Sequence, residues 1–328
     1  MPRLVRRAAA AITLGSLSLS LSLASGASAQ SPPPAAAPGA MSLGLERVHR
    51  VGRDDVALRG DRVRVRGVVA PYAPGQTAVV RVSRGRRKVS ERHAPIQPVP
   101  GTANGTFVVR LRPPTGRVTV RARHRATTAQ AAMAAKPRRL LVVAPHAAPG
   151  ARGAAVRLLQ SRLAALRYSV SRSGEFDAAT ARAVVAYRKM TRQRRVAMAS
   201  RGIFRDLLAG RGAFKPRYPT HGKHVEVDLS RQVLVLMRGR RVDRIYSVSS
   251  GKPSTPTVLG RFRVYSKVRG TNAKGMVHTS YFIGGYAIHG YVSVPTFPAS
   301  HGCVRVPIPN ALSIFNWLRV GDRVDVYP

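Results

Sequence analysis

The sequence of 328 residues predicts a multidomain, mainly β protein that contains one small helical domain. Three observations support this class. Hydrophobic residues alternate with polar ones along residues 43–145, which is the period-two pattern of half-buried strands. Residues 150–212 instead carry apolar residues at helical spacing. Residues 222–328 return to short strand-like runs separated by Gly and Pro.

Residues 1–29 have the pattern of a secretory signal peptide. Three arginines precede an apolar run that ends in the small residues Ala-Ser-Ala, directly before Gln30. We expect export and cleavage at this point, with an uncleaved membrane anchor as the alternative. No later stretch is long and apolar enough to predict a membrane span. Residues 30–42, rich in Pro and Ala, are predicted to form a linker.

The chain is strongly basic. It has 56 Lys and Arg residues against 13 Asp and Glu residues, a net charge of +43. Residues 222–328 contain 15 basic and five acidic residues, so most of the charge lies before them. Nucleic acid is the usual partner of such a chain, but predicted export argues against it. We expect anionic wall polymers as partners, with a merely solvated basic face as the alternative.

Residues 43–145 are predicted to form a basic β-sandwich of immunoglobulin-like type. About six or seven short runs alternate valines with arginines, and Gly and Pro separate them, as in DRVRVRGVV and GRVTVRARHR. Because successive side chains of a strand point to opposite faces, the valines would form the core and the arginines an outer positive face.

Residues 150–212 are predicted to form helices. The segment AAVRLLQSRLAALRYSV has an apolar helical stripe, and DAATARAVVAYRKM begins at a good N-cap, Asp177. This pattern resembles the peptidoglycan-binding domain of the three-helix type, through Val156, Leu159, Gln160, Leu163, Gly174, Phe176, Asp177, Thr180, Ala183, Val184 and Tyr187. RVAMASRGIFRDLLAG departs from the turn that the family repeats in its second half. The alternative is a small helical bundle without affinity for the wall.

Residues 222–328 contain Cys303, the single cysteine of the chain, in the stretch PASHGCVRVP. A lone thiol in an exported protein is a spare or buried thiol, an intermolecular link or a nucleophile. A nucleophilic thiol needs a neighbouring base, and two histidines, His289 and His301, are close in sequence. The residues alone do not choose between them. Gly302 permits a tight turn that would aim backbone N–H groups at a developing oxyanion.

The same segment resembles the L,D-transpeptidase catalytic domain, the YkuD family, over essentially its whole length. The matching residues are VDLS at 227–230, GK at 251–252, TPTxxGxF at 255–262, IHG at 288–290 and SHGCVR at 300–305. The resemblance implies that Cys303 is the nucleophile and His289 the general base. It also implies that a backbone carbonyl at or just after Gly290 holds His289, and that His301 shapes the cleft. It implies neither metal nor cofactor.

The resemblance also implies the substrate. Cys303 would attack the third residue of a peptidoglycan stem tetrapeptide, release the terminal D-alanine, and pass the acyl group to a second stem as a 3→3 crosslink. We expect Arg305, Ser300 and Tyr281 to contact substrate; an ion pair within the protein is the alternative for Arg305. L,D-carboxypeptidase activity and a non-catalytic wall-binding or polyanion-binding protein are the alternative functions. The predicted location is the cell wall or periplasmic space outside the membrane.

Overall fold

The computed structural model describes residues 36–328; the predicted signal peptide and the first part of the predicted linker lie outside the described residues. Residues 40–143 form eleven strands. Their bounds are Ala40–Glu46 (β1), His49–Val51 (β2), Asp54–Leu58 (β3), Val63–Ala70 (β4), Thr77–Arg84 (β5), Arg87–Pro95 (β6), Gln97–Pro98 (β7), Gly105–Leu111 (β8), Gly116–His124 (β9), Met133–Ala134 (β10) and Arg138–Val143 (β11).

These strands form two sheets around one apolar core. The first has the order β1-β4-β8-β7, and the second has the order β2-β3-β11-β9-β5-β6, with β10 paired to β9. Strand β4 shows why the core forms: Val63 and Val65 are fully buried, while the arginines beside them are partly exposed. They share the core with Val80 and Val120 of the second sheet. The assignment as immunoglobulin-like stays a prediction.

Two expectations for this region were wrong in detail. There are eleven strands rather than six or seven, because strands of two or three residues, such as β7 and β10, are too short to show a period of two. The predicted linker also extends too far. Residues 40–42 already pair with β4, since Ala40 lies opposite Ala70 and Met41 packs against the core.

Three helices follow: Ala154–Ala165 (α1), Ala178–Met190 (α2) and Arg201–Leu208 (α3). Asp177 caps α2, as predicted, by accepting a hydrogen bond from the Thr180 N–H at 2.7 Å. Gln160 of α1 is buried and connects the segments, because its amide donates to Thr180 Oγ1 and accepts from Gly174 N, both at 2.8 Å. The motif residues of this region therefore build its core. Binding of peptidoglycan by this region stays a prediction.

The helices pack against both neighbouring regions. Their apolar core continues into Val56 and Leu58 of the N-terminal strands, and into Val235 and Ile245 of the C-terminal strands. Lys189 of α2 is only 1% exposed. Its ammonium group donates to Val248 O at 2.7 Å, Ser247 Oγ at 2.8 Å and Gln232 O at 3.3 Å. This contact joins α2 to the segment that leads to the candidate site.

Residues 223–327 contain nine strands and one helix. Their bounds are Lys223–Asp228 (β12), Val233–Arg238 (β13), Arg241–Ser247 (β14), Gly260–Arg263 (β15), Ser266–Thr271 (β16), Val277–Ile283 (β17), Tyr286–Tyr291 (β18), Val304–Pro307 (β19), Ile308–Trp317 (α4) and Arg323–Tyr327 (β20). One sheet has the order β14-β13-β12-β20-β15 and the other β16-β17-β18-β19. Residues 223–247 form three strands, because the tight turn at 229–232 separates β12 from β13.

Within residues 36–328, no helix is long and apolar enough to cross a membrane.

Candidate active site

Two parallel strands bring the predicted nucleophile and base together. β18 pairs with β19 in a register that sets Ile288 opposite Val304 and His289 opposite Arg305. Cys303 directly precedes β19, so it lies beside the central part of β18. Residues 292–303 make the crossover that a parallel pair requires. The pairing of β18 with β19 thus brings His289 and Cys303 onto neighbouring segments, although they are distant in sequence.

The turn before Cys303 is held by its own side chain and backbone groups. Ser300 is buried, and its hydroxyl donates to Cys303 O at 2.6 Å and accepts from Gly302 N at 3.1 Å. Gly302 has φ of 113°, and a Cβ there would lie 2.1 Å from Cε1 of Tyr286. Only glycine fits this position. The Ser300 hydroxyl therefore holds the turn, and its contact with substrate stays a prediction.

A second loop, residues 251–257, also holds this turn through hydrogen bonds. Thr257, which is buried, donates through Oγ1 to Gly302 O at 2.7 Å and accepts from Gly251 N at 2.9 Å. Thr255 Oγ1 donates to Ser300 O at 3.1 Å. Sequence reasoning gave these threonines no role, although the TPT pattern at 255–257 was the available signal. The structure identifies them as residues that position the cysteine turn.

His289 is buried and has a fixed tautomer. Its Nδ1 lies 2.9 Å from Gly290 O, and a carbonyl can only accept, so the ring proton is on Nδ1 and Nε2 is free to take a proton. Burial lowers the pKa of His289, the bond to Gly290 opposes this, and the charge of Arg305 lowers the pKa further. Gly290 has no room for a side chain, because a Cβ would lie 2.6 Å from Ala311 Cβ of α4. The imidazole is thus kept neutral and oriented.

Cys303 is partly buried, and its surroundings favour the thiol over the thiolate. Burial raises the pKa of Cys303, while a hydrogen bond with the Ala287 backbone and the charges of Arg305 and Lys274 act in the opposite direction. The Sγ donates weakly to Gly285 O at 3.6 Å. A thiol in this state needs a base to remove its proton before it attacks.

One cavity of about 260 Å³, here called the catalytic cavity, is lined by six of the eight predicted site residues, all except Gly290 and Gly302. Its walls are Lys274, Met276, Tyr281, Gly285, His289, Tyr291, Ser300, His301, Cys303 and Arg305. Tyr281 and His301 are far apart in sequence, but both line this cavity. The His301 side chain is exposed. The cavity therefore places two basic side chains, Lys274 and Arg305, near a single thiol.

Arg305 is available to a ligand. Its Cζ lies 4.3 Å from the centroid of the Tyr291 ring, and Nη1 donates to Ala299 O at 3.4 Å. No carboxylate in the part of the chain that the structure describes lies within ion-pair distance of Arg305. The alternative of an internal ion pair was therefore wrong for the described residues, because the guanidinium stacks on an aromatic ring instead.

Comparisons with known proteins identify the family of this chain. Residues 222–326 match the family model described as the L,D-transpeptidase catalytic domain. The crystal structure of an L,D-transpeptidase from Xylanimonas cellulosilytica is similar to this chain at 34% identity and a TM-score of 0.52, and the match covers 56% of this chain and 98% of that one. The chain belongs to the L,D-transpeptidase family. The predicted family is thereby confirmed, and membership implies an enzyme of this type with peptidoglycan as its substrate class.

Two further L,D-transpeptidase structures are less similar. One, from Stackebrandtia nassauensis, is 19% identical, with a TM-score of 0.35 and coverage of 56% of this chain and 95% of that chain. The catalytic domain from the Enterococcus faecium L,D-transpeptidase is 26% identical, with a TM-score of 0.29 and coverage of 33% and 98%. Among curated proteins, none matches this chain.

Proposed function

We propose that this L,D-transpeptidase joins peptidoglycan stem peptides by acyl transfer through Cys303. The observation that carries the proposal is the pairing of β18 with β19. It places a partly buried thiol and a neutral, oriented imidazole at one cavity, with Nε2 of His289 free to accept a proton. This is the arrangement that nucleophilic catalysis by cysteine needs.

In the first half-reaction, Cys303 Sγ attacks the carbonyl carbon of the third residue of a stem tetrapeptide. His289 takes the thiol proton as the S–C bond forms, which gives a tetrahedral oxyanion. The intermediate collapses as the C–N bond to the terminal D-alanine breaks, and His289 returns the proton to the departing amine. The products are free D-alanine and a thioester on Cys303.

In the second half-reaction, the side-chain amine of another stem attacks the thioester. The new C–N bond forms as the S–C bond breaks, and one amine proton passes through His289 to the sulfur. The result is a 3→3 crosslink and a regenerated thiol. Water in place of the amine would make the same enzyme an L,D-carboxypeptidase.

The charges of the catalytic cavity support an anionic substrate. Arg305 and Lys274 both line it, and both lower the pKa of Cys303. We assign Arg305 to a substrate carboxylate, because its planar guanidinium can donate two parallel hydrogen bonds. Tyr281 and His301 shape the walls. The N–H of Gly302 is already bonded to Ser300 Oγ, so other backbone N–H groups near Cys303 would bind the oxyanion.

The other regions are assigned to wall attachment. The three helices of residues 150–212 would be a peptidoglycan-binding domain, supported by the burial of its motif residues. Residues 43–145 would be an immunoglobulin-like sandwich that binds anionic wall polymers. Arg121, Arg123 and Arg139 support this, because they are exposed on one sheet and, among the described residues, have no acidic side chain within ion-pair distance. The pattern of residues 1–29 supports export to the wall.

Product analysis tests the proposal. The protein lacking residues 1–29 is incubated with purified disaccharide-tetrapeptides, and the products are weighed by mass spectrometry. We expect a dimer that has lost one D-alanine. A monomer shortened by D-alanine, with no dimer, would replace the proposal with a carboxypeptidase, and unchanged substrate would leave only a binding function.

A further inference from the structure

A second cavity, larger than the catalytic one, lies between the helical region and the catalytic domain. It measures about 440 Å³ and is called the junction groove. Its lining residues come from α2 and the loop after it, the end of β14, the end of β18 with the crossover that follows, and the junction of β19 and α4; they are Ala181, Arg182, Val185, Ala197, Ser247, Tyr291, Val292, Val294, Thr296, Pro307, Ile308 and Pro309. The catalytic domain alone would not enclose this space.

The junction groove adjoins the catalytic cavity at Tyr291, which lines both. His289 and Tyr291 are two residues apart on β18, so their side chains lie on the same face of the strand. Their ring centroids are 5.7 Å apart at 89°, and Arg305 stacks on Tyr291. One aromatic ring therefore separates a ligand in the groove from the imidazole that is proposed as the general base.

The chemistry of the groove suits a short acidic peptide. Its walls are mostly small apolar side chains and prolines, and Val292 is 85% exposed at its edge. Arg182 is the charged residue of the lining. Its Nε is buried without a hydrogen-bond partner, and in residues 36–328 no acidic side chain lies within ion-pair distance of it. An unpaired guanidinium beside apolar walls complements a chain that carries both methyl groups and a carboxylate.

We propose that the junction groove binds the acceptor stem peptide, with a carboxylate of the acceptor on Arg182 and its amine directed past Tyr291 toward the thioester. This inference rests on the proposed function, because it assigns a place to the second substrate of that reaction. It also gives the helical region a part in the second half-reaction, since α2 supplies Arg182 and one wall of the groove.

Filling the groove separates acceptor binding from acylation. Ala181→Trp places an indole inside the groove, and Ala178→Trp makes the same change on an exposed position of α2 outside it. Both variants are incubated with disaccharide-tetrapeptide, and the dimer formed per D-alanine released is measured. We expect this ratio to fall at least tenfold in Ala181→Trp, with water consuming the thioester, and to keep the wild-type value in Ala178→Trp.

Arg182→Gln keeps the test decisive if the bulky variant does not fold. We expect it to raise the KM for the acceptor about tenfold, with a smaller change in D-alanine release. Equal dimer ratios in Ala181→Trp and Ala178→Trp, or an unchanged acceptor KM in Arg182→Gln, would overturn the inference while the proposed function stands. Failure of the wild type to release D-alanine would instead remove the proposed function, and the inference with it.

Discussion

The buried Lys189 predicts an unusual dependence of stability on pH. Burial against the catalytic domain, with a smaller effect of Arg195, lowers the pKa of Lys189 from its ordinary value of 10.5 to about 7. In the unfolded chain the ordinary value returns. Between pH 7 and 10.5 the unfolded state therefore binds up to one more proton than the folded state at this residue.

The sign and size of the effect follow from this difference. The folded pKa is the lower one, so the cost of burying the charge is present below pH 7 and disappears as the pH rises toward 10.5. One proton changes the free energy of unfolding by at most about 1.4 kcal/mol per pH unit. Between pH 7.5 and 8.5 the contribution of Lys189 should thus increase the free energy of unfolding by about 1 kcal/mol.

Lys189→Met isolates this contribution, because methionine fills similar space and does not titrate. Urea denaturation of wild type and variant at pH 7.5, 8.0 and 8.5 gives the difference in their free energies of unfolding, from which the other titrating groups cancel. We expect the difference to increase by about 1 kcal/mol in favour of the wild type. Lys136→Met, at an exposed lysine, is the control and should leave the slope unchanged. Parallel pH curves for wild type and Lys189→Met would refute the reasoning.

Two further predictions concern charge. Arg305→Ala should lose about 2 to 3 kcal/mol in kcat/KM, and Arg305→Lys should show a raised KM with kcat less affected, because lysine lacks the planar fork. Steady-state kinetics beside thermal unfolding check this, and an unchanged KM in both variants would remove Arg305 from the substrate site. Replacing Arg121, Arg123 and Arg139 with Gln should reduce the retention of the protein on purified cell walls at low salt. Adding salt should likewise reduce the retention of the wild-type protein, because salt screens the attraction between charges. The control with equal charge loss replaces Arg240, Arg244 and Arg319, which are exposed on the catalytic domain, and equal retention of the two triple variants would favour the solvated-face alternative.

The sequence predicted those features that depend on local pattern. Alternating valines in 63–69 predict a half-buried strand, and Asp177 predicts the start of α2, because both signals are contained within a few residues. Cys303 and His289 could be named from their motifs. Their side-by-side placement comes from the register of β18 and β19, which local pattern does not encode.

Contacts between distant segments could not be predicted. Thr257 holds the carbonyl of Gly302 across 45 residues, and Lys189 reaches Val248 across 59 residues. A threonine or a lysine has the same local signal whether it is solvated or buried against a partner, so only the fold reveals these roles. Arg305 illustrates the same limit, because its local sequence does not reveal that it stacks on Tyr291; its contact with substrate stays a prediction.

The central claim is that Cys303 carries the acyl group during turnover. The most direct measurement is the mass of the enzyme after incubation with disaccharide-tetrapeptide and an acid quench, followed by peptide mapping. We expect an added mass equal to the substrate minus D-alanine, located on the peptide that contains Cys303, and absent from Cys303→Ala. An adduct on Cys303→Ala, or D-alanine release by that variant at the wild-type rate, would contradict it.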